Sequence, residues 1–228
     1  MTKSALIAGS TGLVGNELLQ VLLQKDYDKI YALVRKPLTI KHPKLVEVIC
    51  DFDQLDNMEA HFAVNHVYCC LGTTIKKAKS KGEMVKVDVD YPYMMAKLAK
   101  KQKVEHFVII SSMNANARSK LFYPRIKGLL EDKLKTLSLT SLSIIRPSLL
   151  LGERQEKRRG ERAGIKLYQL LSPFLSDDKK NKFAVEAKNV AIAMAVIPEK
   201  EANGVTIYTS EEIAAIVNNH RGNQSITT

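Results

Sequence analysis

Three glycines at every third position, Gly9, Gly12 and Gly15, separate a short apolar run from a leucine-rich segment near the start of the chain. The apolar run, Ser4–Ala8, has the length of a buried strand, and leucines recur at helical spacing over Gly12–Lys25. A glycine-rich turn between a strand and a helix lets the backbone approach a pyrophosphate, which the free N–H groups of the helix then bind. The turn therefore predicts a dinucleotide site, although glycines before a helix can also serve only as a turn.

The spacing G-x-x-G-x-x-G suggests one task for each glycine. The first would make the tight turn, the second would permit close approach of the cofactor, and the third would let helix and strand pack. The residues of this turn that we expect to contact the cofactor are Gly9, Ser10, Thr11, Gly12, Leu13 and Val14.

Strands and helices alternate along the first two thirds of the chain. Apolar runs predict further strands at Lys29–Val34, Lys44–Cys50, His66–Gly72, Val104–Ile110 and Ser141–Arg146. Helical periodicity covers Glu83–Lys103 and Tyr123–Leu137. Alternation of this kind is typical of a parallel, doubly wound sheet, and nearly continuous apolar strands need cover on both faces. We therefore predict an α/β Rossmann fold.

Beyond Pro147 the alternation loosens, and a charged loop spans Gly152–Gly164. The elements predicted after it are helices near Ile165–Leu171 and Ala187–Ile197, a short strand at Val205–Tyr208 and a last helix at Glu211–Asn219. We interpret residues 1–228 as a single NAD(P)-binding domain, to which residues 148–221 contribute a small lobe on the substrate side.

The composition limits the class of protein. A chain of 228 residues that is 45% hydrophobic can bury one sizeable core. No apolar run approaches the roughly 18 residues of a membrane span, and the N-terminus lacks a signal peptide's basic start and apolar core. The cysteines, Cys50, Cys69 and Cys70, have neither disulfide nor metal-site spacing. These features predict a reduced, cytoplasmic protein.

The formal net charge is +11, and much of the excess lies in Lys76–Lys81, Lys97–Lys103 and Arg154–Arg162. Such charge favours polyanions, including phosphorylated cofactors, but the same clusters are compatible with simple solvated faces. No nucleic-acid motif accompanies them. We expect no specific nucleic-acid partner, only weak binding that fades as the salt concentration rises.

The end of the second predicted strand bears on which dinucleotide binds. An acidic residue there would bind the ribose 2′-hydroxyl of NAD, but the chain has Arg35 and Lys36. A guanidinium suits a 2′-phosphate, so NADP(H) is the predicted cofactor. The alternative is a solvent-facing basic pair before a proline turn.

Two further strand ends are expected at the same edge of the sheet. Asp51 and Phe52 follow the third strand, where they could contact the adenine, and Asp51 could equally cap a helix over Leu55–Phe62. Leu71–Thr74 follow the fourth strand, where Gly72 would let the backbone pass close to the cofactor. The residues expected to line the cofactor here are Leu71, Gly72 and Thr73.

The residues that could carry chemistry follow the fifth strand. Tyr123 and Lys127 are four residues apart at the start of a predicted helix, so they share one face, and Ser111 and Ser112 lie at the preceding strand end. Carbonyl reduction needs a hydride donor, an acid for the forming alkoxide and a dipole to hold the oxygen. Tyr123 can be the acid beside the fixed cation of Lys127, and Ser112 can hold the oxygen.

With these pieces in place, the chain resembles the atypical short-chain dehydrogenases/reductases, in the branch that contains the HIV Tat-interactive protein 2. The segments that carry the resemblance are "GSTGLVG", "VRK", "CCLGTT", "VDVDY", "ISS", "YPRIKG" and "IIRPSLLLGERQEKRRGE", between Gly9 and Glu161. The resemblance implies that Tyr123 is the catalytic acid and that Lys127 contacts the nicotinamide ribose.

The same resemblance implies that Leu71 and Gly72 line the cofactor. It also implies that Leu150 and Arg158, in the loop after the sixth strand, close over it. Arg159 departs from the family pattern, which often has a proline before the glycine at this point.

The leading interpretation is an NADP-dependent oxidoreductase that transfers a hydride between NADPH and a small carbonyl or alcohol. The alternative is an NADPH-binding, redox-sensing protein that acts through a protein partner. The set Ser112, Tyr123 and Lys127 favours the enzyme, because a sensor needs no proton donor. No metal is expected, since the five histidines lack ligand spacing.

Overall fold

A parallel sheet forms the centre of the molecule in the computed structural model, which describes residues 3–152, 183–199 and 203–225. The strands are β1 (Ser4–Ala8), β2 (Lys29–Val34), β3 (Leu45–Ile49), β4 (His66–Cys69), β5 (His106–Ile110), β6 (Ser141–Ile145), β7 (Leu149–Leu151), β8 (Ala184–Glu186) and β9 (Gly204–Tyr208). Seven of them pair in the order β3-β2-β1-β4-β5-β6-β9, and β7 and β8 form a separate parallel pair. The predicted doubly wound sheet is confirmed.

Helices cover both faces of this sheet. They are α1 (Leu13–Gln24), α2 (Ile75–Ala78), α3 (Lys81–Val85), α4 (Tyr91–Lys101), α5 (Phe122–Lys135), α6 (Ala187–Val196) and α7 (Ser210–Ser225). Two 3₁₀ segments, Phe52–Phe62 and Ile197–Glu199, and one π-turn at Lys86–Asp90 complete the described elements. In the described part of the chain, no helix has the length and apolar character needed to cross a membrane.

Strand β1 shows why the sheet needs both layers. Its side chains alternate between two core clusters: Ala5 and Ile7 pack with α1 and α6, whereas Leu6 and Ala8 pack on the face that α4 and α5 cover. All four are fully buried. From β1 the chain adds β2 and β3 on one side of the sheet, and from β4 it adds β5, β6 and β9 on the other side. The order of the strands therefore reverses between β1 and β4. A crevice opens at the carboxyl ends of these two strands, where ligands bind in open α/β sheets.

Part of the segment expected to form a small lobe belongs to the main sheet. β9 pairs with β6 in parallel from Ser141 to Ile145, and the alanine-rich α6 packs closely against α1. Helix α7 runs to Ser225, beyond the predicted end at Asn219. The helix predicted near Ile165–Leu171 lies outside the described residues, and the role of residues 148–221 on the substrate side stays a prediction.

The helix predicted over Glu83–Lys103 is observed from Lys81 to Lys101, with a π-turn that the sequence did not predict. The backbone stays helical through both junctions, so α3, the π-turn and α4 form one continuous helix. Pro92 has no N–H to donate to the carbonyl of Asp88, four residues earlier, and the N–H of Tyr91 bonds instead to Lys86, five residues back. The wider turn contains Asp88, which is buried.

A buried polar cluster lies near the edge where β4 and β5 begin. The hydroxyl oxygen of Tyr27 lies 2.6 Å from Nδ1 of His66 and 2.9 Å from the hydroxyl of Tyr68. Nε2 of His106 lies 2.7 Å from Oγ of Ser143. Burial lowers the pKa of His66 to about 3 and the pKa of His106 to about 4. Both imidazoles are therefore neutral in the folded protein at neutral pH.

This cluster predicts that the protein loses stability in mild acid. The unfolded chain binds protons at these histidines near pH 6.5, whereas the folded protein binds them only near pH 3 to 4. The stabilisation is complete above pH 6.5 and is lost as the pH falls, at up to about 1.4 kcal/mol per pH unit for each histidine. Urea unfolding at several pH values measures the free energy of unfolding as a function of pH. Below pH 6.5 this free energy should fall less steeply with decreasing pH in His66→Gln and His106→Gln than in the wild type.

His42→Gln, which replaces a histidine outside the cluster, is the control for this measurement. If the pH dependence of the free energy of unfolding changes as much in the control as in the two cluster variants, the assignment of that dependence to His66 and His106 is wrong.

Candidate active site

In the turn between β1 and α1, two of the three glycines, Gly9 and Gly15, lie where the backbone leaves no room for a side chain. Gly9 has a φ of +85°, and a Cβ there would lie 2.5 Å from the carbonyl oxygen of Cys70. A Cβ on Gly15 would lie 2.1 Å from the carbonyl oxygen of Gly9. Neither position accepts a side chain, because the turn is pressed between β4 and the first turn of α1.

Two unsatisfied features of this turn fit a pyrophosphate. Helix α1 starts at Leu13 after Gly12, and among the described residues no side chain caps its first N–H groups. The hydroxyl of Ser10 is buried and has no hydrogen-bond partner in the described part of the chain. An anion that accepts hydrogen bonds from the helix start and from this hydroxyl would satisfy both, so the residues present fit the predicted cofactor.

Strand β7 brings a further predicted residue to the same turn. A Cβ on Gly152 would lie 2.8 Å from Cδ1 of Leu13, and Leu13 and Leu150 pack on the same core cluster. Leu150 therefore lies in the strand that ends beside the start of α1. Arg158, the other residue expected to close over the cofactor, lies outside the described residues.

Arg35 and Lys36 directly follow β2 at the carboxyl edge of the sheet. Both side chains are exposed, and neither forms an ion pair within the described residues. Two cations that pair with no carboxylate of the described residues suit a ligand phosphate.

Asp51 and Phe52, after β3, have roles inside the protein. Asp51 caps the 3₁₀ segment by accepting a hydrogen bond from the N–H of Asp53 at 3.0 Å, so the capping alternative is observed. Phe52 is 7% exposed, and its ring centroid lies 5.6 Å from that of Tyr91. Contact of either residue with adenine stays a prediction.

The segment that leaves β4 lies at the same edge. Leu71 and Thr73 are half-buried and Gly72 is exposed. The nearest atom to a Cβ on Gly72 would be Oδ1 of Asp88 at 3.5 Å, an ordinary contact distance. Packing within the described protein does not require a glycine here, which is compatible with the predicted close approach of a cofactor.

Tyr123 and Lys127 share one face of α5, as their spacing predicted. Nζ of Lys127 lies 5.8 Å from the centroid of the Tyr123 ring. Lys127 is 2% exposed, whereas Tyr123 is half-buried. The fold thus places a buried cation behind a phenol that stays accessible.

The two serines after β5 have different surroundings. The hydroxyl of Ser111 donates a hydrogen bond to Glu131, which also accepts one from Nε of Arg146 at 2.9 Å. The hydroxyl of Ser112 makes no hydrogen bond within the described part of the chain. Ser111 is therefore structural, and Ser112 is the serine whose hydroxyl is available to a ligand.

Gly128 positions the loop that follows Ser112. A Cβ on Gly128 would lie 2.1 Å from the backbone nitrogen of Ala117. The N–H of Asn116 donates to the carbonyl of Pro124 at 3.0 Å, so this loop packs directly on the first turns of α5. The glycine after the lysine in "YPRIKG" is the sequence signal for this packing.

Asp88 is a residue of this site for which the sequence predicted no role. Its Oδ1 lies 2.8 Å from Nζ of Lys127, and its Oδ2 accepts a hydrogen bond from the N–H of Thr73 at 2.9 Å. Burial opposes the charge on Lys127, but interaction with Tyr123 and with Asp88 outweighs burial and raises the pKa of Lys127. The signal was the segment "VDVDYP", in which Pro92 accompanies the π-turn that contains Asp88.

A cavity of about 360 Å³ opens beside Tyr123. Its lining residues are Thr73, Thr74, Ile75, Lys81, Met84, Phe122 and Tyr123. Within the described residues, no group of three or more histidine, cysteine, aspartate or glutamate side chains is arranged to hold a metal, and Cys50, Cys69 and Cys70 are free thiols.

Comparison with known proteins identifies the relatives of this chain. The family model described as HIM1 matches residues 40–176. The protein HTATIP2 of Rattus norvegicus is 36% identical over 197 residues, which cover 84% of this chain and 79% of that protein. The protein named "FMP52, mitochondrial" of Eremothecium gossypii is 29% identical over 219 residues, which cover 94% of this chain and 97% of the relative.

Solved structures with the same fold include nucleotide-sugar enzymes. The Bordetella bronchiseptica enzyme WbmH, solved in complex with NAD⁺, has a TM-score of 0.68 at 16% identity, covering 100% of this chain and 83% of the other. A UDP-glucose 4-epimerase of Thermotoga maritima, solved with UDP-glucose, has a TM-score of 0.68 at 14% identity, covering 96% and 82%. At these identities the likeness shows the Rossmann fold.

The names of the yeast relatives correct one expectation. FMP52 of Meyerozyma guilliermondii, 37% identical over 154 residues that cover 66% of each chain, is also named mitochondrial. The expectation of a cytoplasmic protein is therefore wrong. The predicted family, by contrast, is confirmed by the family model, by the rat relative and by the fold. The chain belongs to the HIM1 family and, as its motifs indicated, to the atypical short-chain dehydrogenases/reductases.

Proposed function

We propose that this protein is an NADP-dependent oxidoreductase that transfers a hydride between NADPH and a small carbonyl or alcohol substrate. One observation carries the proposal: Tyr123 lines a cavity, and the buried ion pair of Lys127 and Asp88 lies directly behind it. A buried charge is costly for a fold, and such charges beside a cleft are typical of active sites.

The preference for NADP rests on the end of β2. Arg35 and Lys36 are exposed there and have no ion-pair partner within the described residues. The solved neighbours hold NAD, which supports a nicotinamide cofactor in this fold without choosing between the two forms. The turn with Gly9 and Ser10 would hold the pyrophosphate that both forms share.

The chemistry that the residues can perform is a proton transfer at one oxygen atom. A bound dihydronicotinamide supplies the hydride. The hydroxyl of Tyr123 would donate a proton to the carbonyl oxygen of the substrate, and the hydroxyl of Ser112 would donate a hydrogen bond to the same oxygen. The cation of Lys127 lies 5.8 Å from the centroid of the Tyr123 ring, and Asp88 fixes that cation in place.

The names of the relatives support a location for this chain. We propose that it acts in mitochondria, as the names of the yeast FMP52 proteins state for those relatives. Isolation of mitochondria from cells that make the tagged full chain, followed by protease protection, tests this proposal.

Arg35→Ala should weaken the binding of NADPH without changing the binding of NADH. Loss of a charge-assisted hydrogen bond costs about 1.5–3 kcal/mol, so NADPH should bind roughly ten- to a hundredfold more weakly, while the affinity for NADH stays unchanged. Fluorescence titration of the purified protein measures both affinities. Lys29→Ala, at the exposed start of the same strand and the opposite edge of the sheet, is the control. An equal loss for both cofactors would refute the contact with the 2′-phosphate.

Tyr123→Phe should lower the rate of turnover without changing the affinity for NADPH. The change removes one oxygen atom and keeps the ring, so NADPH affinity should hold while turnover falls about 10²–10⁴-fold, the usual contribution of a general acid. The measurement is NADPH oxidation against a panel of aldehydes, ketones and quinones, beside a binding titration. Lys127→Ala should lower both rate and affinity, because this lysine would also contact the ribose.

Two results of that experiment would contradict the proposal. Full turnover in Tyr123→Phe would exclude the tyrosine as the acid. If the wild type binds NADPH but oxidises it with none of the compounds, the redox-sensing alternative replaces the enzyme.

Asp88→Asn should cost much more stability than the same change in an exposed pair. Removal of one partner leaves the buried ammonium of Lys127 uncompensated, which typically costs about 3–5 kcal/mol. Asp53→Asn, which breaks the exposed pair with Lys86, should cost far less. Urea unfolding measures both losses, and the double variant Asp88→Asn with Lys127→Met should recover part of the first. Similar losses for the two single variants would be incompatible with a buried pair.

A further inference from the structure

The lining of the Tyr123 cavity combines apolar side chains with one charged residue. Ile75, Met84 and Phe122 supply the apolar surface, and Lys81 is the charged residue of the lining. The volume of about 360 Å³ lies near the lower end of the range for small-molecule sites, about 300–1,000 Å³. A compact amphipathic molecule matches such a surface better than a purely apolar or purely polar one.

Lys81 belongs to the basic cluster Lys76–Lys81 that stands out in the sequence. The cluster extends from α2 to the first residue of α3, and Lys81 is its lysine that lines the cavity beside Tyr123. Lys76, Lys79 and Lys81 are all exposed, and none of them forms an ion pair within the described residues. A cation that lines a cleft attracts anionic ligands, and further positive charge nearby raises their local concentration.

Lys81 contacts an aromatic ring and has no counter-ion among the residues that the structure describes. Its Nζ lies 5.4 Å from the centroid of the Phe122 ring, next to Tyr123 in the chain. The ring holds the ammonium near the cavity by a cation–π contact, which leaves its hydrogen-bond donors available to a ligand anion.

We propose that the substrate of this site is an amphipathic carbonyl compound with an anionic group. The apolar body would lie against Ile75, Met84 and Phe122, the anionic group would bind Lys81, and the carbonyl would reach Tyr123. This inference rests on the proposed function, because it names the class of substrate for the reaction at Tyr123. It also gives Lys81, within the lysine cluster, a role other than nucleic-acid binding.

Binding of simple probes tests the inference without turnover. Calorimetry with the full chain compares octanoate, octyl phosphate and octan-1-ol, which share one apolar chain. We expect the wild type to bind an anionic probe more tightly than octan-1-ol. An exposed ion pair contributes up to about fivefold in affinity, so with the added repulsion Lys81→Glu should weaken the anionic probes about tenfold and leave octan-1-ol unchanged.

Lys29→Glu is the matched control, because it makes the same charge change at the opposite edge of the sheet. It should leave all three affinities unchanged. Lys81→Glu should fold, since an acidic residue in the first turn of a helix is favourable. The ratio of octanoate to octyl phosphate affinities tells whether the site prefers a carboxylate or a phosphate.

Three results would overturn the inference. One is that octan-1-ol binds the wild type as tightly as both anionic probes do. Another is that Lys29→Glu weakens the anions as much as Lys81→Glu does, which would indicate a general charge effect. The third is that Tyr123→Phe abolishes octanoate binding while Lys81→Glu does not, because the carboxylate would then bind at the reacting centre.

Kinetics with a matched pair separates this inference from the proposed function. The pair is 8-oxooctanoate and its methyl ester, each offered with NADPH. Reduction of both with equal kcat/KM, unaffected by Lys81→Glu, would leave the oxidoreductase standing and refute the anionic substrate. Reduction of neither, and of none of the compounds in the aldehyde, ketone and quinone panel, with anion binding that still depends on Lys81, would refute the oxidoreductase and leave an anion-binding cavity.

Discussion

The buried ion pair between Lys127 and Asp88 is the interaction on which the rest of the site depends. It joins α5 to the π-turn, and through the second oxygen of Asp88 it also holds the backbone of Thr73 after β4. Three segments from different parts of the chain therefore meet at one carboxylate. Both charged side chains are almost completely buried, so each is compensated mainly by the other. The pair fixes the position of the cation behind Tyr123.

The wider architecture keeps this pair and the glycine turn at one edge. In a parallel sheet all strands end on the same side, and here β1, β4 and β5 lie next to one another at the centre. The turn after β1 is pressed against Cys70, the residue that follows β4, and this contact requires glycine at position 9. The glycine turn and helix α5 are thus held together by the sheet, with no need for a long connecting loop.

The sequence predicted the central sheet well because its signals are local. Apolar runs and glycine spacing gave β1, α1 and the shared face of Tyr123 and Lys127, all of which the structure shows. It did not predict the partner of Lys127, because Asp88 is 39 residues away and faces inward through an irregular turn. From the sequence we also predicted that Val205–Tyr208 belongs to a separate lobe, whereas this segment forms β9 and pairs with β6. That pairing is a long-range contact, which hydrophobic periodicity does not reveal.

The π-turn at Lys86–Asp90 has a consequence for how this segment can change. A π-turn is an α-helix with one extra residue, and each residue rotates the helix by about 100°. Helix α3 carries Lys81 and Met84 at the cavity, and α4 packs in the core. The one extra residue determines how the side chains of α3 are rotated about the helix axis relative to those of α4. Deletion of a single residue here would turn the cavity-facing side chains of α3 away while α4 kept its place. The segment is therefore constrained in length as well as in the side chain at Asp88, because one extra or missing residue would displace the cavity-facing side chains of α3.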